Sequence, residues 1–298
     1  MTTISAKSVQ SSRGLSTGET VHSIEARYPR FIHAEVMTHR DFSRNAASSR
    51  AIPILKMIKD IIKDPAVPLH LGAAQKGMQA DVELTGWRRW LVRTAWLTAM
   101  WFVIVLALIA YAAGAHKQVV NRMLEPWSHI TVIITSSSWN NFFHLRRHRD
   151  AEPHIHMLAD RIYEAIQNAD VYTIGDGEWH VPYVDRAVDM YSKTVYSVRD
   201  ETGNVIVLSL DEALIVSAAR CASTSYRTVD GKIMSYERAK IVADKLVKAD
   251  VLHASPFEHQ CTPDRKGPGD QWDNPRLHGN LRGFKQARKL YPNESVPG

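Results

Sequence analysis

Residues 95–115 read AWLTAMWFVIVLALIAYAAGA, a run of about twenty apolar residues with Thr98 as its polar exception. A stretch this long and this uniform fits two surroundings. One is the hydrocarbon of a bilayer; the other is a large core or oligomer that covers a helix on every side. Arg88, Arg89 and Arg93 precede it, and His116 and Lys117 follow. A membrane span in mid-chain would put the two halves of the molecule on opposite sides of the bilayer. The anion-binding stretches described below would then be divided between compartments. The expectation is a buried central helix in a cytoplasmic protein without a membrane partner, with a membrane anchor as the alternative.

At 298 residues the chain can bury a sizeable core. Hydrophobic residues make up 45% and charged residues 23%, which places it among globular proteins. The formal charge of +6, from 37 basic and 31 acidic residues, suits anionic small molecules. No Lys/Arg run is long enough to argue for a specific nucleic-acid partner. Cys221 and Cys261 are the two cysteines, which argues against a disulfide framework and fits a reducing compartment. The first twenty residues, MTTISAKSVQSSRGLSTGET, are small and polar and lack the apolar core of a secretory signal. They are expected to be a flexible tail, and residues 21–298 a single domain.

The pattern along the chain is mixed. Residues 21–37 look extended, and 55–63 (LKMIKDIIK) have helical spacing. A Pro/Gly/Gln-rich loop covers 64–80. One long helical tract is expected from about Trp87 to Leu124, where Pro126 breaks it. HITVIIT (129–135) reads as a strand or the buried start of a helix. The later part of the segment beginning at Trp139 reads as helix. A hairpin is expected around ETGN (201–204), then helices from about Leu210, with Asp211 and Glu212 at its start, and over Ser235–Lys248. From Pro263 onward the chain reads as loop.

Three stretches carry chemistry. THRDFSRNAASSR (38–50) crowds arginine forks and serine hydroxyls that match phosphate or carboxylate oxygens, or else form a solvated, capped helix face. LHASPFEHQ (252–260) gathers His253, Ser255, Glu258 and His259 around Pro256 and Phe257. Ser255 lies three residues before Glu258, as in a helix cap. No G-x-S-x-G elbow surrounds a serine to support a hydrolase. NNFFHLRRHRDAEPHIH (140–156) places His144 and His148 four apart, the spacing of a zinc pair, but lacks a His-Glu-x-x-His arrangement; no metal is expected. Neither Gly-x-Gly-x-x-Gly nor a Walker loop is present.

Together these stretches resemble the flavin-dependent thymidylate synthases. The family signature Arg-His-Arg, two residues, Ser, one, Asn, two, Ser, one, Arg matches Thr38-His39-Arg40, Ser43, Asn45, Ser48 and Arg50 at every position but the first. The His-x-Ser/Thr-Pro-Phe-Glu-His element matches His253 to His259 throughout. Ala218-Ala219-Arg220 with Ser225-Tyr226 is similar to a third element, and Asn141 to Arg146 to a fourth, Asn-Phe-x-x-Leu-Arg. Two of these elements follow the arginine signature, whereas in most members they precede it. This is a permuted order such as phage-type members show, and permutation keeps a packed fold when the old termini lie close together.

The resemblance implies an α+β fold, an antiparallel sheet with long helices, and a homotetramer with shared sites, in the host cytoplasm if phage-encoded. It implies binding of dUMP by Glu35, Ser48, Arg50, Arg122 and Arg146, with Arg50 and Arg146 acting in catalysis. It implies contact with FAD by His39, Arg40, Asn45, Asn141, Ser225, His253, Ser255 and Glu258. The implied reaction is reductive methylation of dUMP to dTMP, with methylenetetrahydrofolate and NADPH as co-substrates. The alternatives are a flavin-dependent pyrimidine nucleotide hydroxymethylase and a non-catalytic nucleotide-binding homologue. Thr38, Ala46, Ser223, Glu152 and His154 depart from the family pattern. The basic stretch 278–289 offers Asn280, Arg282 and Gln286 for a substrate-side role.

Overall fold

Residues 5–14, expected to belong to a flexible tail, form a strand. The computed structural model describes residues 3–77, 80–226, 234–247 and 252–295, except the side chains of 225, 226 and 247. In it β1 (Ser5–Gly14) pairs antiparallel with β2 (Thr20–Pro29), Ser5 opposite Arg27 and Arg13 opposite Thr20. The strand shows no apolar alternation because its buried side chains are those of Gln10, Ser11 and Ser12. Their polar atoms meet the backbone N–H of Val181 and the rings of His22 and His180, respectively. A buried face that is polar and fully partnered leaves no hydrophobic period to read.

The chain continues through α1 (His33–Val36) and the short strand β3 (Ser43–Ala46) to α2 (Ile54–Lys63). There Ile54, Met57, Ile58 and Ile61 turn inward at helical spacing. A loop leads to α3 (Gly86–Ala112), α4 (Lys117–Leu124) and β4 (His129–Ser136). Then come α5 (Asn140–Arg146), α6 (Pro153–Gln167) and β5 (Val171–Ile174). β6 (Asp185–Val188), β7 (Thr194–Arg199) and β8 (Val205–Leu208) form an antiparallel meander. α7 (Leu210–Ala222) opens on a capping box between Ser209 and Glu212, and α8 (Tyr236–Val247) packs against it. The C-terminal segment, expected as loop, also contains the antiparallel pair β9 (Cys261–Pro263) and β10 (Phe284–Gln286).

The α+β class holds, but the main sheet is mixed. Its order is β3-β4-β2-β1-β5, with antiparallel pairs except the parallel β1–β5 pair. One face is apolar: Ile24, Ala26, Tyr28, Val132 and Ile134 pack on Ile155, Leu158 and Ile162 of α6. The other face carries Ser23, Glu25 and Thr135 and lies under the C-terminal half of the chain. The two-residue strand period lets one sheet serve a greasy layer and a polar one.

The helix over the apolar run is not buried on every side. Its inward stripe is Met100, Ile104 and Ala107, packed with Ile58 and Ile61 of α2 and Val120 and Leu124 of α4. Trp96 Nε1 donates to Ala66 O and Trp127 Nε1 to Trp96 O, which fastens this stripe to the body. Trp101, Phe102, Val105 and Ile109 are exposed. By length and composition α3 could cross a bilayer, with 17% of its most apolar window buried. The expected single tract from 87 to 124 is two helices, because Gly114 adopts φ +83° and turns the chain back after α3.

Candidate functional site

The first constellation lies where α1, the start of β3 and α5 meet. Arg146, in the last turn of α5, donates from Nε to His39 Nε2 at 3.0 Å and from Nη2 to Thr38 Oγ1 at 3.4 Å. A His39 Nε2 that accepts leaves the ring proton on Nδ1. Burial, and then the charges of Arg146 and Arg44, lower the His39 pKa to about 4, so the ring is neutral at pH 7. Glu35 stands close enough to feel Arg146. Burial raises its carboxyl pKa and Glu152 adds to the rise, while Arg146 and His154 pull it down. His39, Arg40, Asn141 and Arg146 line a cavity of about 270 Å³. Arg40 and Asn141 are exposed, and no ion pair holds Arg40 among the described residues.

The second constellation is built on the polar face of the sheet. Asn45 of β3 donates from Nδ2 to Ser255 Oγ at 3.3 Å, and its Oδ1 lies 2.9 Å from His259 Nε2. Behind it runs a buried chain: His259 Nδ1 to Thr135 Oγ1 at 2.8 Å, Thr135 to Ser23 at 2.6 Å, Ser23 to His180 Nε2 at 2.8 Å, and His180 Nδ1 to Ser12 at 2.9 Å. One set of proton positions satisfies every link, each hydroxyl and ring N–H donating toward Asn45. Burial lowers both His180 and His259 to about 3, so both rings stay neutral. The spine fixes the Asn45 amide with its N–H directed at Ser255.

Around this pair the C-terminal segment acts as a clamp. Ser43 Oγ donates to Asn280 Oδ1 at 3.0 Å, and Gln286 Nε2 reaches Asn280 Oδ1 and Glu258 O, each at 2.9 Å. Arg288 pairs with the Glu258 carboxylate. Glu258 is therefore committed inside the chain. Ser255 caps no helix: it begins a single 3-10 turn, Ser255–Glu258, without a side-chain cap. His253 and Arg282 are exposed.

The third group follows β3. Asn121 Nδ2 donates to the carbonyls of Ser49 and Ile52, each at 2.8 Å, and Ser49 Oγ donates to Glu125. These bonds tie α4 to the turn carrying Ser48 and Arg50. Arg50 and Arg122 are exposed, and no hydrogen bond or ion pair holds their guanidiniums among the described residues. Ser48 is half-buried and partnered.

The structure therefore brings Glu35, His39, Arg40, Asn141 and Arg146 together before β3. It gathers Asn45, Ser255 and Glu258 beside it, and places Ser48, Arg50 and Arg122 after it. The side chain of Ser225 lies outside the described residues. Two departures from the family pattern have structural work. Glu152 caps α6 by accepting from the backbone of His154 and Ile155, and it binds the His154 ring, whose Nε2 accepts from Leu69 N. His259, Thr135, His180 and Arg288 were not identified as site residues from sequence. His259 sits inside a matched motif and could have been; nothing in the sequence links residues 12, 135 and 180. Among the described residues no group of three or more metal-ligating side chains forms, and His144 and His148 do not converge with others.

No family model matches the chain, and no curated protein matches it. Among solved structures it is similar to the UMP/dUMP methylase PolB from Streptomyces cacaoi. With the complex bound with 5-Br dUMP the identity is 16% and the TM-score 0.46, over 56% of this chain and 90% of that one. With the complex bound with 5-Br UMP the values are 17%, 0.46, 56% and 89%. A likeness this distant carries no argument about activity.

Proposed function

We propose that the chain is a flavin-dependent pyrimidine nucleotide methyltransferase that converts dUMP to dTMP. The observation that supports this reading is convergence. Asn45 of the arginine signature bonds Ser255 and His259 of the Pro-Phe-Glu-His element across 210 and 214 residues of sequence. His39 of the same signature bonds Arg146 of the Asn-Phe-x-x-Leu-Arg element across 107. Motifs that merely happened to match would have no reason to meet.

The residues present suit the ligands. Arg40, Arg50 and Arg122 offer uncommitted guanidiniums to phosphate oxygens, and Arg146 keeps Nη1 free of partners among the described residues. The neutral His39 ring and the oriented Asn45 amide add donors beside them. FAD would be held by His39, Arg40, Asn45, Asn141 and Ser255; bound flavin supplies hydride, methylenetetrahydrofolate the carbon, and NADPH the electrons that restore the flavin. Arg50 and Arg146 would hold dUMP and stabilise negative charge developing on its ring. Glu35, Ser48 and Arg122 would complete the nucleotide site.

The arginines lie at the two ends of β3, and the ends of a four-residue strand are roughly 10 Å apart. The exposed outer face of α3 would bring in neighbouring subunits of a tetramer to close such a site. The test is product analysis. Protein reconstituted with FAD is incubated with dUMP, NADPH and methylenetetrahydrofolate, and the nucleotide is identified by mass. A methylated product is expected, a hydroxymethylated one would assign the related reaction, and unchanged dUMP would overturn the proposal.

A further inference from the structure

A larger cavity, of about 880 Å³, opens on the same sheet face on the far side of β2 from Asn45. The register aligns Lys7, Glu25, Ile133 and Asn45 across β1, β2, β4 and β3. Lys7 at the cavity wall is thus three strands from Asn45, roughly 14 Å. Among the described residues, none of those assigned above to nucleotide or flavin lines it.

Its inner wall is Arg220, 9% exposed and at the end of α7. Arg220 Nε donates to Met234 O at 3.1 Å and Nη1 to Tyr183 O at 2.5 Å. No acceptor among the described residues takes Nη2, and no carboxylate pairs with it. Asp185 acts on it electrostatically without a hydrogen bond. A buried guanidinium held only by carbonyls carries a desolvation cost that an anion facing it would offset. The wall beside Arg220 is held by several contacts. Tyr183 adopts φ +65°, unusual for a non-glycine residue. It is held there by its hydroxyl on Glu25 at 2.8 Å and by Arg220, while Ser217 Oγ donates to the neighbouring Pro182 O at 2.7 Å. Backbone strain of this kind persists only where several contacts fix it, and it gathers at ligand sites.

The rim adds Arg199 and Arg238, and Lys7, whose ammonium lies 3.6 Å from the Glu25 carboxylate. Against them stand Asp185, Asp200 and Glu201, but both Asp200 oxygens are taken by the turn through Thr202 and Asn204. The volume falls in the range of small-molecule sites.

We infer that this cavity binds a small polyanion, phosphorylated or polycarboxylate, with Arg220 at its base and Arg199 and Arg238 at its mouth. The inference does not depend on the methyltransferase reading. It is tested by calorimetric titration of the full chain with inorganic pyrophosphate and, separately, citrate. The protein used carries Arg40→Ala, Arg50→Ala, Arg122→Ala and Arg146→Ala, so that the arginines assigned above to the nucleotide and flavin cannot contribute. Saturable binding of at least one of the two is expected, and which one binds tells a phosphate ligand from a carboxylate. Adding Arg199→Glu and Arg238→Glu, both exposed positions, is expected to weaken binding on the order of tenfold or more. Arg220→Gln is expected to abolish it. Absence of saturable binding, or binding unchanged by the two charge reversals, overturns the inference even if the Arg220 variant fails to fold.

Discussion

Thr38 stands where the resembled signature begins with arginine, and its hydroxyl takes Nη2 of Arg146. The substitution removes a charge but keeps a polar contact, so Arg146 becomes the principal cation beside His39. Arg146→Ala is expected to weaken dUMP binding by about tenfold to a hundredfold, the loss of one hydrogen bond to a charged group. Equilibrium titration against wild type measures it. The buried spine makes a second residue-scale expectation. Thr135→Val leaves His259 Nδ1 and the Ser23 hydroxyl without their partner and should cost about 1–3 kcal/mol in urea unfolding. Stability equal to wild type would show that the spine is not continuous. One end of this network was legible: Asn45 and Ser255 stand in spaced motifs. The rest was not, because Thr135, Ser23, His180 and Ser12 are joined by register and tertiary packing, which leave no local pattern.

The elements divide by how they bury their surface. α2 shows ordinary helical periodicity, and the capping box of α7 is readable from Ser209 and Glu212. Ser209→Ala is expected to cost about 1 kcal/mol, measured by thermal unfolding. β1 escaped because its inward side chains are serines and a glutamine. The division of the tract 87–124 leaves no break in the apolar pattern, because the chain turns at Gly114 through a positive φ and not through a polar residue. α3 was legible as a helix, but its surroundings were not: composition is the same whether a body, a subunit or a lipid covers a face. The two faces of α3 should respond differently. Ile104→Ala, on the inward stripe, should cost about 2–5 kcal/mol. Trp101→Glu with Phe102→Glu, on the outer face, should leave the fold intact and yield a smaller species by light scattering. An unchanged mass would mean that subunits do not meet there.

At the scale of the whole molecule, the polar layer of the sheet makes stability depend on acid. Burial holds His180 and His259 to pKa values of about 3, and His22 and His129 to about 4, against an ordinary value of 6.5. These rings are neutral when folded and take up protons more readily when unfolded. The stability they confer is complete above about pH 6.5 and is lost progressively as pH falls toward 3. Denaturant midpoints should be level from pH 8 to about 7 and decline steadily below. Elements scattered along the chain are proposed to form one site for a flavin and a pyrimidine nucleotide, which the absorbance spectrum of FAD-reconstituted protein before and after addition of dUMP would test. The expected result is a bound flavin band that shifts on addition of the nucleotide, saturably, and that no longer responds in Arg146→Ala protein. A protein that retains no flavin, or a flavin band indifferent to dUMP, would contradict the claim.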